Sequence, residues 1–396
     1  MFTKQILRQL FRQAAGVPFS VTYWDGASEK YGDGESKFTL IINDNKILDT
    51  FDDDFEVAFG EAYMAGRLDV VGDLADVVSA AAEVRRANLS GASNSLAVRA
   101  AASLKARTKR QQKQDVQHHY DLGNDFFKLW LDASMCYSCA YFKTPTDSLE
   151  DAQITKIDHS LNKLRLKAGE SLLDIGCGWG ALVMRAAQMH HARVTGITLS
   201  EQQFYHDCRS IESLSLGGLA NVRVIDYEGL AREGRTFDKI VSIGMIEHVG
   251  KAHLDDFSKA VSTMLRPGGL ALLHFITSPQ PGVFNPWIQK YIFPGAYVPT
   301  VAEMIDRISS YDMRIIDVEN LRPHYQMTLD HWSATFEQNV SKVREMLGEE
   351  FVRMWRLYLR GCSSSFRDGV LEIHQILVSN GKSDEVPLTR DDLYAV

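Results

Sequence analysis

The sequence has no long hydrophobic run and few cysteines. No stretch of the 396 residues approaches the roughly 18 consecutive apolar residues of a membrane-spanning helix. The opening residues, MFTKQILRQLFRQ, mix charges among the apolar positions, so we expect no secretory signal peptide. Five cysteines, an odd number, fit a reducing compartment better than a disulfide framework. These absences predict a cytoplasmic globular protein.

Acidic residues are absent from Val84 to Gln114, although the whole chain carries a net charge of −8. The remainder is therefore strongly acidic, which argues against general nucleic-acid binding. The basic stretch is interpreted first as a solvated helix between domains. Alternatively, it attracts an anionic membrane surface by about 1 kcal/mol per Lys or Arg. Cys136 and Cys139 form a CxxC pair, but no second pair at matched spacing exists, so no metal site is indicated.

The chain changes character twice along its length. Residues 1–95 combine the strand patterns FSVTYW and FTLIIN with helical spacing broken by glycines, which predicts a small mixed α+β domain. Residues 96–118 are predicted to form a basic helical linker. Residues 119–396 alternate strands with helices, which is typical of an α/β fold with a parallel sheet. The predicted strands are SLLDIGC, ARVTGITLS, NVRVIDY, FDKIVSIGMIEHVG and GGLALLHFI.

The segment LLDIGCGWGA combines an aspartate with a glycine-rich turn. Its glycines, Gly176, Gly178 and Gly180, follow a predicted strand and precede a predicted helix, as in nucleotide-binding folds. An NAD enzyme would carry an acid at the end of the second strand, where this sequence has Thr198 and Leu199 instead. Asp174 would repel a pyrophosphate but suits the ammonium group of S-adenosylmethionine. The pattern therefore favours a Rossmann-like, S-adenosylmethionine-dependent methyltransferase domain.

A longer set of motifs resembles one family. The segment DVQHHYDLGNDFFKLWLDASMCYSCAYF resembles the start of the catalytic domain in cyclopropane-fatty-acid synthases, a group that includes the mycolic acid cyclopropane synthases. Six further segments resemble family motifs in family order: LLDIGCGWG, IVSIGMIEHVG, LLHFI, NPWIQKYIFPGAYVP, RPHYQMTLDHW and YLRGCSSSF. GEAYMAGRLDVVGD resembles the N-terminal, lipid-binding domain of the phospholipid-acting bacterial branch.

The resemblance implies transfer of a methyl group to a cis double bond of a phospholipid acyl chain. The resulting carbocation loses a proton to a bound bicarbonate, and a cyclopropane ring closes. The implied bicarbonate ligands are Cys139, Glu247, His274, Ile276 and Tyr325. Cys362 is an implied active-site cysteine, although packing is the favoured interpretation. The implied cofactor residues are Tyr137, Ser138, Asp174, Gly176, Gly178, Gly180, Thr198, Leu199, Gln203, Tyr227 and Glu228.

An aromatic segment, residues 281–299, is the candidate lipid entrance. It carries Phe284, Trp287, Tyr291, Phe293 and Tyr297, which suit either a lipid-facing mouth or a lid packed on the core. The resemblance further implies a homodimer that binds the inner face of the membrane reversibly, with an unsaturated phospholipid as its partner.

Three other functions remain open at this stage. A related enzyme would quench the same cation into a methyl-branched or methylene product. A non-catalytic lipid-binding relative would have lost site residues, and this chain retains them. A nicotinamide-dependent dehydrogenase is disfavoured by Asp174.

Overall fold

The computed structural model describes residues 2–47, 55–91, 122–281 and 285–394. Its strands are β1 (Phe19–Thr22), β2 (Ser28–Tyr31), β3 (Phe38–Ile42), β4 (Leu68–Gly72), β5 (Ser171–Ile175), β6 (Arg193–Thr198), β7 (Ala220–Val224), β8 (Phe237–Ile243), β9 (Leu265–Thr277), β10 (Met313–Asn320) and β11 (Glu372–Asn380). Its helices are α1 (Phe2–Gln13), α2 (Phe55–Met64), α3 (Leu74–Gly91), α4 (Asn124–Phe127), α5 (Leu149–Lys163), α6 (Ala181–His190), α7 (Glu201–Ser213), α8 (Tyr227–Arg232), α9 (Ile246–Val249), α10 (Leu254–Met264), α11 (Pro286–Tyr291), α12 (Val301–Ser309), α13 (Arg322–Gln338), α14 (Val340–Leu347), α15 (Glu349–Arg367) and α16 (Asp391–Tyr394). A 3₁₀ turn, Lys251–His253, lies between α9 and α10.

The chain forms two compact units that do not follow its linear order. The first unit combines the described residues of Met1–Lys105 with Phe284–Pro294 and Leu329–Val370. The second comprises Ala106–Val283, Gly295–Thr328 and Leu371–Val396. Two segments expected within a catalytic domain spanning 119–396 thus group with the N-terminal residues. The predicted basic linker, 96–118, lies outside the described residues, and the domain boundaries at either end of it remain predictions.

The first unit contains a four-stranded sheet in the order β2-β1-β3-β4. β1 runs parallel to β3, and the other neighbours are antiparallel. The rings of Phe19, Tyr31 and Phe38 stack in its core, with centroids 5.0 to 5.2 Å apart. β1 and β3 were predicted, whereas β2 and β4 were not. Strand β2 has the polar sequence SEKY, and β4 lies between glycines in a stretch with helical spacing, so neither has a clear strand pattern.

The aromatic segment of the first unit is packed against protein. Trp287 of α11 is only 3 % exposed, and a Cβ atom added at Gly60 would lie 2.3 Å from its indole ring. Tyr291 donates a hydrogen bond to Glu61 at 2.7 Å, and the rings of Phe293 and Tyr358 meet edge to face at 5.8 Å. These three aromatics pack within the first unit, and their place at a lipid entrance remains a prediction. Phe284 lies outside the described residues.

The second unit contains a seven-stranded sheet in the order β10-β11-β9-β8-β5-β6-β7. The five strands from β9 to β7 run parallel and match the five predicted ones, while β10 and β11 add an antiparallel edge that was not predicted. Both faces of the sheet are covered, because Leu172 and Leu173 point into separate apolar clusters. This is the predicted α/β arrangement. No helix within the described ranges is both long and apolar enough to cross a membrane.

Candidate active site

The glycine-rich turn between β5 and α6 has the backbone conformation that the sequence predicts. Gly176, Gly178 and Gly180 have φ values of 83°, 58° and 75°, a region that favours glycine. A Cβ atom at Gly180 would lie 2.7 Å from Met184 and 2.9 Å from Asp207, whereas one at Gly178 would meet no protein atom within 4 Å. Gly180 is therefore needed for packing, and Gly178 faces open space.

A cavity of about 240 Å³ opens at the carboxyl ends of β5, β6 and β8. Ten of the predicted cofactor residues line it: Tyr137, Ser138, Asp174, Gly176, Gly178, Thr198, Leu199, Gln203, Tyr227 and Glu228. Gly180 does not line it and instead forms the N-cap of α6. Residues distant in sequence are thus brought together where parallel sheets bind ligands.

An aromatic cluster supports one wall of this cavity. The ring of Phe127 lies 5.0 Å from that of Trp179, and Trp130 meets Tyr137 edge to face at 5.2 Å. The Nε1–H of Trp179 donates to Asn124 Oδ1 at 2.9 Å. The cluster therefore fixes the position of Tyr137 relative to the glycine-rich turn.

The end of β6 carries a neutral polar network. The Thr198 hydroxyl donates to Gln203 Oε1 at 2.7 Å and accepts from the Ser200 N–H at 3.1 Å. Ser200 in turn caps α7 by accepting from Gln203 N–H at 3.3 Å. β6 ends at Thr198, so a neutral residue lies where an NAD enzyme would carry its acid.

Two buried charged residues, Asp174 and Lys156, line the same cavity. Each is only 3 % exposed. Burial raises the pKa of Asp174 to about 7, although the positive charge of Lys156 opposes the rise. The Lys156 Nζ donates to Ser138 Oγ at 3.0 Å. Nearby, burial lowers the pKa of His248 to about 4, so this ring is neutral at pH 7.

A second polar group forms around Glu247, which lies in α9 and is 6 % exposed. The backbone N–H of Ile276 donates to Glu247 Oε1 at 2.6 Å. Glu247 Oε2 is buried and has no hydrogen-bond partner among the described residues. Burial raises the pKa of this carboxyl to about 7. The Ile276 N–H therefore holds Glu247 in place, and its implied contact with bicarbonate remains a prediction.

His274 lies on β9 and is 1 % exposed. Gln375 Nε2 donates to its Nδ1 at 3.2 Å and to Ser160 Oγ at 3.3 Å. The Ser160 hydroxyl gives its own proton to Lys156 O at 2.8 Å, so toward Gln375 it can only accept. This network distinguishes the amide nitrogen of Gln375 from its oxygen. Because that nitrogen donates to His274 Nδ1, the proton of the neutral His274 ring lies on Nε2. Within the described ranges, that Nε2 has no hydrogen-bond partner.

The segments that carry Cys139 and Tyr325 meet at Thr328. Cys139 is fully buried, its thiol donates to Ala140 O at 3.2 Å, and burial raises the pKa of that thiol above its ordinary value. Ala140 N–H donates to Thr328 Oγ1 at 3.0 Å. Thr328 lies one turn after Tyr325 in α13. This contact joins the two segments that carry the predicted residues.

Cys362 lies in α15, which belongs to the first unit. Its side chain is partly buried, and this burial raises its pKa to about 12, so the group is a neutral thiol at pH 7. The thiolate needed by a nucleophile is not favoured there. A role for Cys362 in the site remains a prediction.

Sequence reasoning missed three residues of the site, namely Lys156, His248 and Gln375. Lys156 belongs to a run of polar residues on α5 that are buried rather than solvated, with Gln153, Ser160 and Lys163. Polar residues at helical spacing normally indicate the solvent-exposed face of a helix, so this pattern wrongly predicted that Lys156 is exposed. Gln375 lies on β11, a strand that the sequence did not predict.

Comparisons with known proteins identify the family of this chain. A family profile described as "Mycolic acid cyclopropane synthetase" matches residues 107–376. The chain belongs to this family. A second profile, described as a domain of unknown function, matches residues 6–93.

Named relatives agree with the assignment. The chain is 34 % identical over 391 residues to a "Probable fatty acid methyltransferase" of Pseudomonas putida, covering 96 % of this chain and 98 % of the relative. It is 37 % identical over 275 residues to "Cyclopropane mycolic acid synthase 1" of Mycobacterium tuberculosis, covering 66 % of this chain and 95 % of the relative. A crystal structure of the mycolic acid cyclopropane synthase CmaA1 with SAH and CTAB has a TM-score of 0.64 and 36 % identity, covering 67 % of this chain and 98 % of that one.

These findings confirm the predicted family and fold. The protein is an S-adenosylmethionine-dependent methyltransferase of the cyclopropane synthase family, with a Rossmann-like α/β domain and a small α+β region near its N-terminus.

Proposed function

We propose that the protein methylates a cis double bond in a phospholipid acyl chain and closes a cyclopropane ring with bicarbonate as the base. One observation carries the proposal: two implied bicarbonate ligands, Glu247 and His274, each have a buried polar atom, Oε2 and Nε2, without a partner among the described residues. Buried polar atoms are rarely left unpaired, so a small polar ligand is expected to satisfy them.

The cavity residues fit S-adenosylmethionine. Asp174 offers a buried carboxylate to its ammonium group, and the open space beside Gly178 admits a ligand close to the backbone. Tyr137 and Tyr227 present aromatic surface, and Thr198 and Gln203 present polar atoms at the end of β6. When bound, S-adenosylmethionine supplies the methyl group. An alkene is a poor nucleophile, so the role of these residues is to hold the donor in near-attack geometry.

The polar atoms of Glu247 and His274 suit bicarbonate. A neutral His274 with its proton on Nε2 donates a hydrogen bond to an oxygen of the anion. With a pKa of about 7, Glu247 is partly protonated near neutral pH, so Oε2 either donates to bicarbonate or accepts its O–H. When bound, bicarbonate supplies the base that takes a proton from the new methyl group. Tyr325 is proposed as a further donor to it.

Burial gives this site a second task, which is to exclude water. A carbocation exposed to water would be trapped as an alcohol. Cys139 and His274 are each at most 1 % exposed, so the walls of the site that carry them are dry. A neutral thiol at Cys139 suits such a wall, since it adds no charge that would attract water.

A phospholipid acyl chain is the proposed acceptor because one relative is similar to this chain over nearly its whole length. The relative named for fatty acid methyl transfer matches 96 % of this chain, whereas the mycolic acid relative matches 66 %. The N-terminal residues are thus shared with a protein named for acting on fatty acids. We further propose reversible attachment to the inner face of the membrane, where such lipids lie. A homodimer remains a prediction of the family resemblance.

A second candidate function is methylation without ring closure. It is favoured by the same relative, whose name specifies fatty acid methyl transfer and no ring. The same cation would then lose a different proton, giving a methylene product, and a partner reductase with its own hydride donor would convert that alkene to a methyl branch.

The test is an incubation of the purified protein with vesicles of an unsaturated phospholipid, S-adenosylmethionine and bicarbonate. Acyl masses and proton NMR are then read, with omission of S-adenosylmethionine as the control. A gain of one CH2 with cyclopropane ring protons supports the proposal. The same gain with a retained alkene signal supports the second candidate. Absence of any mass gain, in protein that binds S-adenosylmethionine, would rule out phospholipid acyl chains as the acceptor.

A further inference from the structure

Lys156 is a buried cation to which no sequence pattern assigned a role. It lies in α5, is 3 % exposed, and lines the cofactor cavity. Its neighbour on the same helix, Lys163, is also buried, but Lys163 forms ion pairs with Glu319 and Asp317. Lys156 forms no ion pair with any described residue, and its ammonium contacts only neutral groups there, the Ser138 hydroxyl and the Cys136 thiol. A buried ammonium of this kind requires an anion for stability.

Asp174 has the complementary property. It is equally buried, it lines the same cavity, and no described Lys, Arg or His lies within 4.0 Å of its carboxylate. Asp174 and Lys156 sense each other electrostatically, since the lysine charge acts on the Asp174 carboxyl, but they do not form a pair. A cavity that holds separated, buried charges of opposite sign is complementary to a zwitterion.

We propose that Lys156 binds the α-carboxylate of S-adenosylmethionine, with the Ser138 hydroxyl as a second donor, while Asp174 binds the α-ammonium group. The amino-acid end of this cofactor is a zwitterion whose two charged groups share one carbon atom. The inference rests on S-adenosylmethionine as the methyl donor of the proposed function and adds Lys156 to the residues that position it. Charge-assisted hydrogen bonds of this type are stronger than neutral ones.

Bicarbonate is the other small anion that Lys156 can attract. The lysine charge lowers the pKa of His274, after the larger effect of burial, so the two residues lie near each other. The cofactor carboxylate is preferred because Lys156 and Ser138 both line the cofactor cavity, whereas Glu247 and His274 do not. The test must therefore separate a cofactor effect from a bicarbonate effect.

The experiment measures binding by isothermal titration calorimetry, without turnover. Wild type and Lys156→Met are titrated with S-adenosylmethionine and with its decarboxylated form, which keeps the sulfonium and the ammonium but lacks the carboxylate. We expect Lys156→Met to weaken binding of S-adenosylmethionine about 10- to 100-fold and to change binding of the decarboxylated form less than about twofold. Lys156→Arg keeps the charge and should retain most of the affinity.

Two results would overturn the inference. Equal losses for both ligands would mean that Lys156 supports the cavity without touching the carboxylate. Unchanged cofactor affinity in calorimetry, together with a raised half-saturation concentration of bicarbonate in the vesicle assay, would assign the lysine to that anion instead. Should Lys156→Met fail to fold, Ser138→Ala gives the same comparison, with a smaller expected loss of several-fold for S-adenosylmethionine alone.

Failure of this inference is distinguishable from failure of the proposed function. Binding of the two cofactor forms is measured without lipid, so it is independent of which acceptor the enzyme uses. A protein that cyclopropanates vesicles but shows no carboxylate-dependent loss in Lys156→Met would refute the role of Lys156 alone.

Discussion

Gln375 Nε2 lies 3.2 Å from Nδ1 of His274, and the two residues are paired across neighbouring strands β11 and β9. Because Ser160 fixes the amide orientation, this contact selects the His274 tautomer that carries its proton on Nε2. Gln375 is therefore a positioning residue, since it acts through His274.

Gln375→Glu should reverse that tautomer. A carboxylate can only accept, so it would draw the ring proton to Nδ1 and leave Nε2 as an acceptor. We expect a rate loss of about 10- to 100-fold with a raised half-saturation concentration of bicarbonate. Nitrogen NMR of the labelled histidine ring reads the tautomer directly. A structural effect alone would lower the rate while leaving the tautomer and the bicarbonate dependence unchanged.

Glu247→Gln and Tyr325→Phe test the residues proposed to hold bicarbonate. Glu247→Gln replaces an ionisable carboxyl with an amide that cannot exchange a proton, and we expect cyclopropane formation to fall about 100-fold or more. Tyr325→Phe should fall by about 10-fold. Product analysis by mass spectrometry measures both, and calorimetry with SAH is the control, since cofactor binding should persist. Full activity in both variants would refute the assignment.

The affinity for S-adenosylmethionine should fall as pH falls through about 7. Asp174 has a raised pKa of about 7, so below this pH it takes up a proton and loses its attraction for the ammonium group. The loss approaches tenfold per pH unit, until the pKa of the bound state is reached. Calorimetry from about pH 6 to about pH 8 measures this dependence of the affinity on pH. Asp174→Asn should bind weakly at every pH, and a pH dependence retained in this variant would assign the titration elsewhere.

Asp174→Asn should also stabilise the cofactor-free protein at alkaline pH. The folded-state pKa of Asp174 lies near 7 against an ordinary 3.8, so stability is lost as pH rises through this window. At 1.36 kcal/mol per pKa unit the ionised carboxylate costs on the order of 4 kcal/mol above pH 7. We expect Tm to rise by several degrees at about pH 8 and not at about pH 4. Asp306→Asn, at an exposed helix position, is the matched control and should change Tm little.

Gly178→Ala separates backbone strain from ligand contact. Gly178 and Gly169 both have positive φ values, 58° and 79°, and a Cβ atom at either would meet no protein atom within 4 Å. Each alanine variant should thus lose a similar stability of about 1 to 2 kcal/mol. Gly178 lines the cavity, so its variant alone should weaken SAH binding, by about tenfold or more. Equal SAH affinity in the two variants would contradict the proposed cofactor position.

Much of the second unit could be predicted locally. The five parallel strands are short apolar runs with turn signals at their ends, and the DIGCGWG turn needs glycines whatever surrounds it. The order of the motifs indicated the family. Strands β10 and β11 were missed because the strands with which they pair lie far away in the sequence. The pairing of β11 with β9 is one such contact.

The sequence by itself determined the parallel strands, the glycine turn and the residue types available at the strand ends, because these depend on neighbours within a few positions. Only the tertiary structure decided which polar residues are buried and what they touch. Lys156 and Gln375 resemble surface residues in sequence, and His274 lies 101 positions before its partner Gln375. The hydrogen bond between Ile276 and Glu247 likewise spans 29 positions. Burial and pairing over such distances depend on how the strands assemble, and that assembly gives Asp174 and Glu247 their raised pKa values.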